Sequence, residues 1–165
     1  MISLETQTAI KNAIWRLVQS DKVLVDLFGQ DEVPLYLTWA PRDAEMPYMV
    51  HRMQNRSEDP WVVRSAKYYL DIWHYGDTAA PLYQIAGRMT EILERAVLGL
   101  SESGGYTWVA QTTPTHDMLV AARFFLVRDG DVPEPTENVW HYAMEFDIRY
   151  TRTIGQIERI IGDQK

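Results

Sequence analysis

The sequence predicts an α+β fold: a mostly antiparallel sheet with one long amphipathic helix packed on it and an N-terminal helical hairpin. Three observations lead there. Ile10, Ala13, Ile14, Leu17 and Val18 recur at spacings of three and four, the stripe of a helix lying on a core. The same period returns at Leu82, Ile85, Ala86, Met89, Leu93, Ala96 and Val97. The last third alternates instead. Trp140, Tyr142, Met144, Phe146, Ile148 and Tyr150 fall on one face, and His141, Glu145, Asp147 and Arg149 on the other, as in a strand with one buried and one wet side.

The elements follow in order. A first helix spans Leu4 to Val18, with Ser3 as its N-cap; a second carries Val23, Leu24, Leu27 and Phe28, capped by Ser20 or Asp21 and stopped at Gly29. Pro34, Pro41 and Pro47 leave room only for a short extended piece at Leu35 to Trp39, followed by the loop 39–45. Tyr48 to Gln54 and Ala66 to Tyr75 read as paired strands joined through the polar stretch Asn55 to Ser65. Asp77 and Thr78 cap the long helix, 79–98, and Gly99 stands just past its end. On its outer face Glu91 and Arg95 are one turn apart, a pair worth roughly 0.3 kcal/mol. Strands are expected at Tyr106 to Thr112, Met118 to Val127 and Val139 to Arg152. Met118 to Val127 is apolar on both faces apart from Arg123, which marks a central strand or one whose second face meets a partner. The acidic loop 129–138 exceeds an ordinary hairpin turn and is expected to project. A short helix is expected at Ile154 to Ile161.

The 165 residues suit one domain, 1–165, with its core over about 4–152. Apolar residues make up 46% and charged residues 24%, enough burial to offset chain ordering. Sixteen basic residues against twenty-three acidic ones give a net charge of -7, the wrong sign for a protein that grips phosphate backbones. The sequence holds neither a run long enough to span a membrane nor the basic and apolar start of a signal peptide. The absence of cysteine removes disulfides, thiolate catalysis and thiolate metal sites.

The chemistry-bearing residue types form no convincing centre, and no catalytic, cofactor-binding or metal residue is assigned. His74 and His141 fall on opposite strand faces by parity, which argues against a shared metal ion. Asp71 with Glu145 or Asp147 could form an acid and base pair across strands, yet carboxylates alternating with apolar residues are what a half-exposed strand displays. Nucleophile elbows and phosphate loops are missing, and Asp129-Gly130-Asp131 lacks the spaced ligands of a calcium loop. The informative signal is aromatic load outside the core stripes: Trp39, Trp61, Tyr69, Trp73, Tyr75 and Trp108, with Arg42, Arg52, Arg56 and Arg64 in or beside the same stretches. Protein interfaces are enriched in these types; the bland alternative is a second layer of core under the loops.

The order of pieces resembles the tail terminator, or tail completion, proteins of long-tailed, siphovirus-like bacteriophages and prophages. The residues that carry the resemblance are Met-Pro-Tyr-Met-Val at 46–50, Tyr68-Tyr69-Leu70-Asp71-Ile72-Trp73-His74-Tyr75 running into the helix 79–98, and the late strand 141–148, within a span of about 5–152. The resemblance implies a non-enzymatic virion assembly protein. Such a protein forms a ring, typically a homohexamer, on the head-proximal end of the tail tube, where it stops polymerisation and presents the head-tail joining surface. Its implied partners are itself, the tail tube protein and a head-completion or connector protein, with DNA passing the lumen unbound and no membrane involved. Its implied places are the host cytoplasm during assembly and then the virion. The loop 55–65, with Arg56, Trp61 and Arg64, and the loop 129–138, with Asp129, Asp131, Glu134 and Glu137, are the expected contacts; Trp39 and Arg42 of the loop 39–45 are second candidates. A neck or head-to-tail adaptor protein is the alternative within this class. A small α+β hydrolase or sugar-binding protein is the alternative outside it, distinguished by a monomer with a deep polar pocket.

Overall fold

The computed structural model describes residues 2–55, 63–95, 97–101, 106–109 and 118–152. Helix α1 (Ile2–Ser20) turns into α2 (Lys22–Phe28) at Asp21. The Asp21 carboxylate accepts the Leu24 N–H at 2.9 Å, and Gly29 ends α2 at φ 66, a left-handed turn that its missing Cβ permits. Asp21 also receives Arg88 Nε at 3.1 Å and Nη2 at 2.6 Å, tying the hairpin to α3 (Ala80–Arg95). The Arg88 guanidinium and the Leu24 amide outweigh burial and hold the Asp21 carboxyl below its usual range. Ser3 lies inside α1 and not at its cap, because the helix begins a residue earlier. Glu91 pairs with Arg95 at 2.7 Å, as its spacing implies.

Among the described residues seven strands, β1 (Leu35–Leu37), β2 (Tyr48–Asn55), β3 (Val63–Tyr75), β4 (Val97–Ser101), β5 (Tyr106–Val109), β6 (Met118–Val132) and β7 (Val139–Arg152), form one sheet in the order β1-β2-β3-β7-β6-β4-β5. β1 runs parallel to β2, and every other neighbouring pair is antiparallel. β3 and β7 are the long central pair, in register from Val63↔Thr151 to Tyr75↔Val139. This register puts Ala66, Tyr68, Leu70 and Ile72 beside Met144, Phe146, Ile148 and Tyr150 on one face, all buried. The helices cover that face with Ile10, Ile14, Val18, Leu24, Leu82, Ile85, Met89 and Leu93.

Two sequence expectations change. The long helix ends at Arg95, and Val97 belongs to β4 (Val97–Ser101), in which Gly99 pairs with Thr107 of β5 (Tyr106–Val109) and Ala121 of β6 (Met118–Val132). Val-Leu-Gly-Leu continues a helical period on paper, but two ladders satisfy its backbone, and tertiary pairing overrides the local pattern. Gly99 is therefore a strand residue and not a helix stop. The second change is at the acidic loop: β6 continues through Asp129, Gly130, Asp131 and Val132, which pair with Met144, Ala143, Tyr142 and His141. Only 133–138 connects the strands, so Asp129 and Asp131 do not project.

A bulge explains how these aspartates are tolerated. The register shifts between Leu126 and Arg128, leaving Val127 as the extra residue. Before the bulge Phe124 and Leu126 share the helix-covered face with Ile148 and Phe146; after it, Asp129 and Asp131 take that side and Arg128 turns to the other. There Asp131 Oδ1 accepts from Tyr83 Oη at 2.9 Å, and Asp129 Oδ2 from Tyr142 Oη at 2.6 Å. The Tyr83 and Tyr142 phenols are held above their usual range, the first chiefly by its bond to Asp131 and the second chiefly by burial. The expected terminal helix at 154–161 lies outside the described residues.

Candidate interaction surface

None of the described helices packs on the opposite face of the sheet, and its side chains form a connected aromatic and charged surface. A row of rings crosses four strands. Tyr36 meets Tyr48 edge-on at 6.0 Å, Tyr48 stacks on Trp73 at 5.4 Å, and Trp73 stacks on His141 at 4.1 Å with 16° between planes. Beside it Arg52 lies over the Tyr69 ring at 3.9 Å, a cation–π contact.

His141 is the anchor of this face. Its Nε2 is 2.7 Å from Asp71 Oδ1 and its Nδ1 is 2.9 Å from Glu134 Oε1, so both ring nitrogens meet carboxylates and both carry protons in the imidazolium form. Burial acts to lower its pKa, but Asp71 and then Glu134 outweigh it and raise the pKa above 6.5. The contact folds the 133–138 connection back onto the sheet. Because the folded pKa is raised, this stabilisation is complete below the unfolded value near 6.5 and is lost as pH rises through the folded pKa. Protection of the 134 and 136–138 amides, measured relative to their intrinsic base-catalysed exchange, is expected to fall on raising the pH above neutrality, and His141→Gln is expected to show the low protection at every pH. Protection in the variant that matches the wild type at pH 6 would contradict this.

The carboxylates considered as an acid and base pair are engaged otherwise. Glu145 is buried, accepts Lys67 Nζ at 2.5 Å and pairs with Arg128; Asp147 sits 3.4 Å from Lys67. The Lys67 hydrogen bond, with Arg128 behind it, holds Glu145 below the usual carboxylate range, which suits a structural anion more than a proton donor. Among the described residues no group of three His, Asp or Glu could hold a metal ion. The two carboxylates at His141 lie against opposite ring nitrogens and do not converge. A shallow cleft of ≈ 380 Å³ lies between Arg52, Tyr69, Asp71, Arg128, Gly130 and Glu145.

No family model and no curated protein matches the sequence. The fold is shared with a virion chain. That solved structure is described as "Virion of native gene transfer agent (GTA) particle", and the match has a TM-score of 0.56 at 14% identity, covering 85% of this chain and 92% of that one.

The residues expected from sequence to make contacts fall in three groups. Trp39 is 80% exposed and Arg42 is exposed, both in the segment after β1. Thr38, immediately before, has φ 66, a conformation a β-branched residue rarely adopts and one that costs on the order of 1–3 kcal/mol. Its N–H bonds the His51 carbonyl at 2.9 Å, which holds the turn that sets Trp39 outward. Glu134 is spent on His141, Asp129 and Asp131 on tyrosines, and Glu137 stays exposed in the turn. Arg64 lies in β3, opposite Tyr150 of β7 in the backbone ladder, whereas Arg56 and Trp61 lie outside the described residues.

The row Tyr36, Tyr48, Trp73, His141 is not legible in the sequence alone. The signal was available in part: Trp73 and His141 have the same parity relative to their strands' apolar residues, so pairing of those strands puts them on one face. What the sequence lacked was the register, Trp73↔His141, and the parallel pairing Tyr36↔Val50 that brings β1 alongside.

Proposed function

We propose that this chain is an assembly protein of a phage-like virion, a tail terminator or completion protein that closes the head-proximal end of a tail tube as a homohexameric ring and offers the head side a joining surface. The observation that carries the reading is the fold shared with a gene transfer agent virion chain across 85% of this one. The resemblance of 46–50, 68–75 and 141–148 to tail terminators points the same way. A sheet with one face uncovered by the described helices and lined by Tyr, Trp, His and Arg suits protein contact. The role is non-catalytic on this reading, with the tube protein and a head-completion or connector protein as partners, assembly in the host cytoplasm and DNA passing the lumen without being gripped.

The test is a tube-growth assay. Purified chain added to polymerising tail tube protein is expected to yield short tubes with one capped end, at a ratio near one ring per tube. Tubes that grow to the same length with and without it would overturn the terminator role. Growth without capping but with binding to the head connector would move the chain to the neck.

A further inference from the structure

Charge is divided unevenly over this acidic chain. Its net charge is -7, yet among the described residues the strands of the uncovered sheet face carry five Lys and Arg cations, Arg52, Lys67, Arg123, Arg128 and Arg149, against the carboxylates of Asp71, Glu145 and Asp147, with Glu134 held on His141. Lys67 and Arg128 are paired with Glu145; Arg123 and Arg149 instead flank the Phe125 ring, at 5.7 and 5.8 Å from its centre, and both are exposed. Phe125 itself is 42% exposed. This is a basic patch with an apolar centre, on a strand in the sheet interior.

The β1 edge has the opposite character. Exposed Asp31 and Glu32 precede β1, and Asp43 and Glu45 follow it, against the single cation Arg42 in the segment 29–45. Between them Leu37 and Trp39 are 52% and 80% exposed, Trp39 held outward by the strained Thr38 turn. In the sheet order β1 and β6 are four strand spacings apart, roughly 19 Å. The acidic aromatic edge therefore cannot reach the basic patch of its own chain. Two distinct, complementary surfaces on one chain meet only between copies, and a heterologous contact repeated around an axis closes a ring.

We propose that the β1 edge of one copy, with Asp31, Glu32, Leu37 and Trp39, docks head-to-tail on the Arg123, Phe125 and Arg149 patch of the next. The proposal deepens the ring reading above and rests on it. The experiment uses the full chain and two charge-reversed variants, Arg123→Glu/Arg149→Glu and Asp31→Lys/Glu32→Lys. All four side chains are exposed, so unchanged circular dichroism is the folding control.

The amount of protein needed for half-maximal tube capping is expected to rise at least tenfold for each variant alone. It is expected to return to the wild-type amount for their equimolar mixture, because the reversed charges complement each other at every second junction and the native ones at the rest. Variants that each cap like the wild type, or a mixture that stays inactive, would overturn this contact while wild-type capping leaves the terminator role intact. A wild-type chain that never caps overturns both.

Discussion

Phe146→Ala is expected to cost about 3–5 kcal/mol of folding stability. Phe146 is fully buried on β7 and lies against Tyr68, ring centres 6.1 Å apart, where β3, β7 and β6 meet beneath the helices. Tyr68 in turn packs edge-on against Phe124 at 5.8 Å and His51 at 5.7 Å. Truncation removes the ring joining the longest ladders and leaves a cavity the paired backbones cannot collapse into. A domain of this size has about 5–15 kcal/mol in total, so the variant loses a large share. Urea unfolding measures it; a loss below about 1 kcal/mol would mean that Phe146 is not central to the core.

Acidification is expected to destabilise the protein through His51, by up to about 3 kcal/mol between pH 6.5 and pH 4. His51 sits on the helix-covered face, only 4% exposed, with its Nδ1 3.0 Å from the buried Tyr68 hydroxyl. Burial, with a smaller contribution from the positive charge of Lys11, lowers its pKa to about 4. The unfolded chain, near 6.5, binds the proton first, so stability is full above 6.5 and falls as pH drops toward the folded pKa. This sign is opposite to that of His141, which is stabilising when protonated. Stability is expected to be greatest near neutrality, between the two. His51→Gln is expected to flatten the acid limb while keeping the alkaline one. An unchanged acid limb in that variant would assign the loss to other groups.

The elements were legible where periodicity and burial agree. The stripe of α3 and the alternation of β7 each match one covered and one uncovered side, and both survive in the structure apart from the last helical residues. Val97 and Gly99 misled because an apolar run with a glycine after it fits a helix end as well as a strand, and only the two flanking ladders decide between them. The acidic loop misled for a related reason. Asp129 and Asp131 carry no strand propensity, and what admits them is the bulge at Val127 with two tyrosine partners from elsewhere in the chain. Of the surface, the residue types were visible and the pairing was not. Trp39, Arg52, Tyr69 and Trp73 stood out by composition, whereas the role of His141 depends on Asp71, seventy positions away.

Position in a particle tests the central claim most directly. An affinity-tagged chain incorporated during assembly, located by gold label on negatively stained virions, is expected at one point per particle, between the head and the tail tube. Label distributed along the tube, or particles with none, would contradict it.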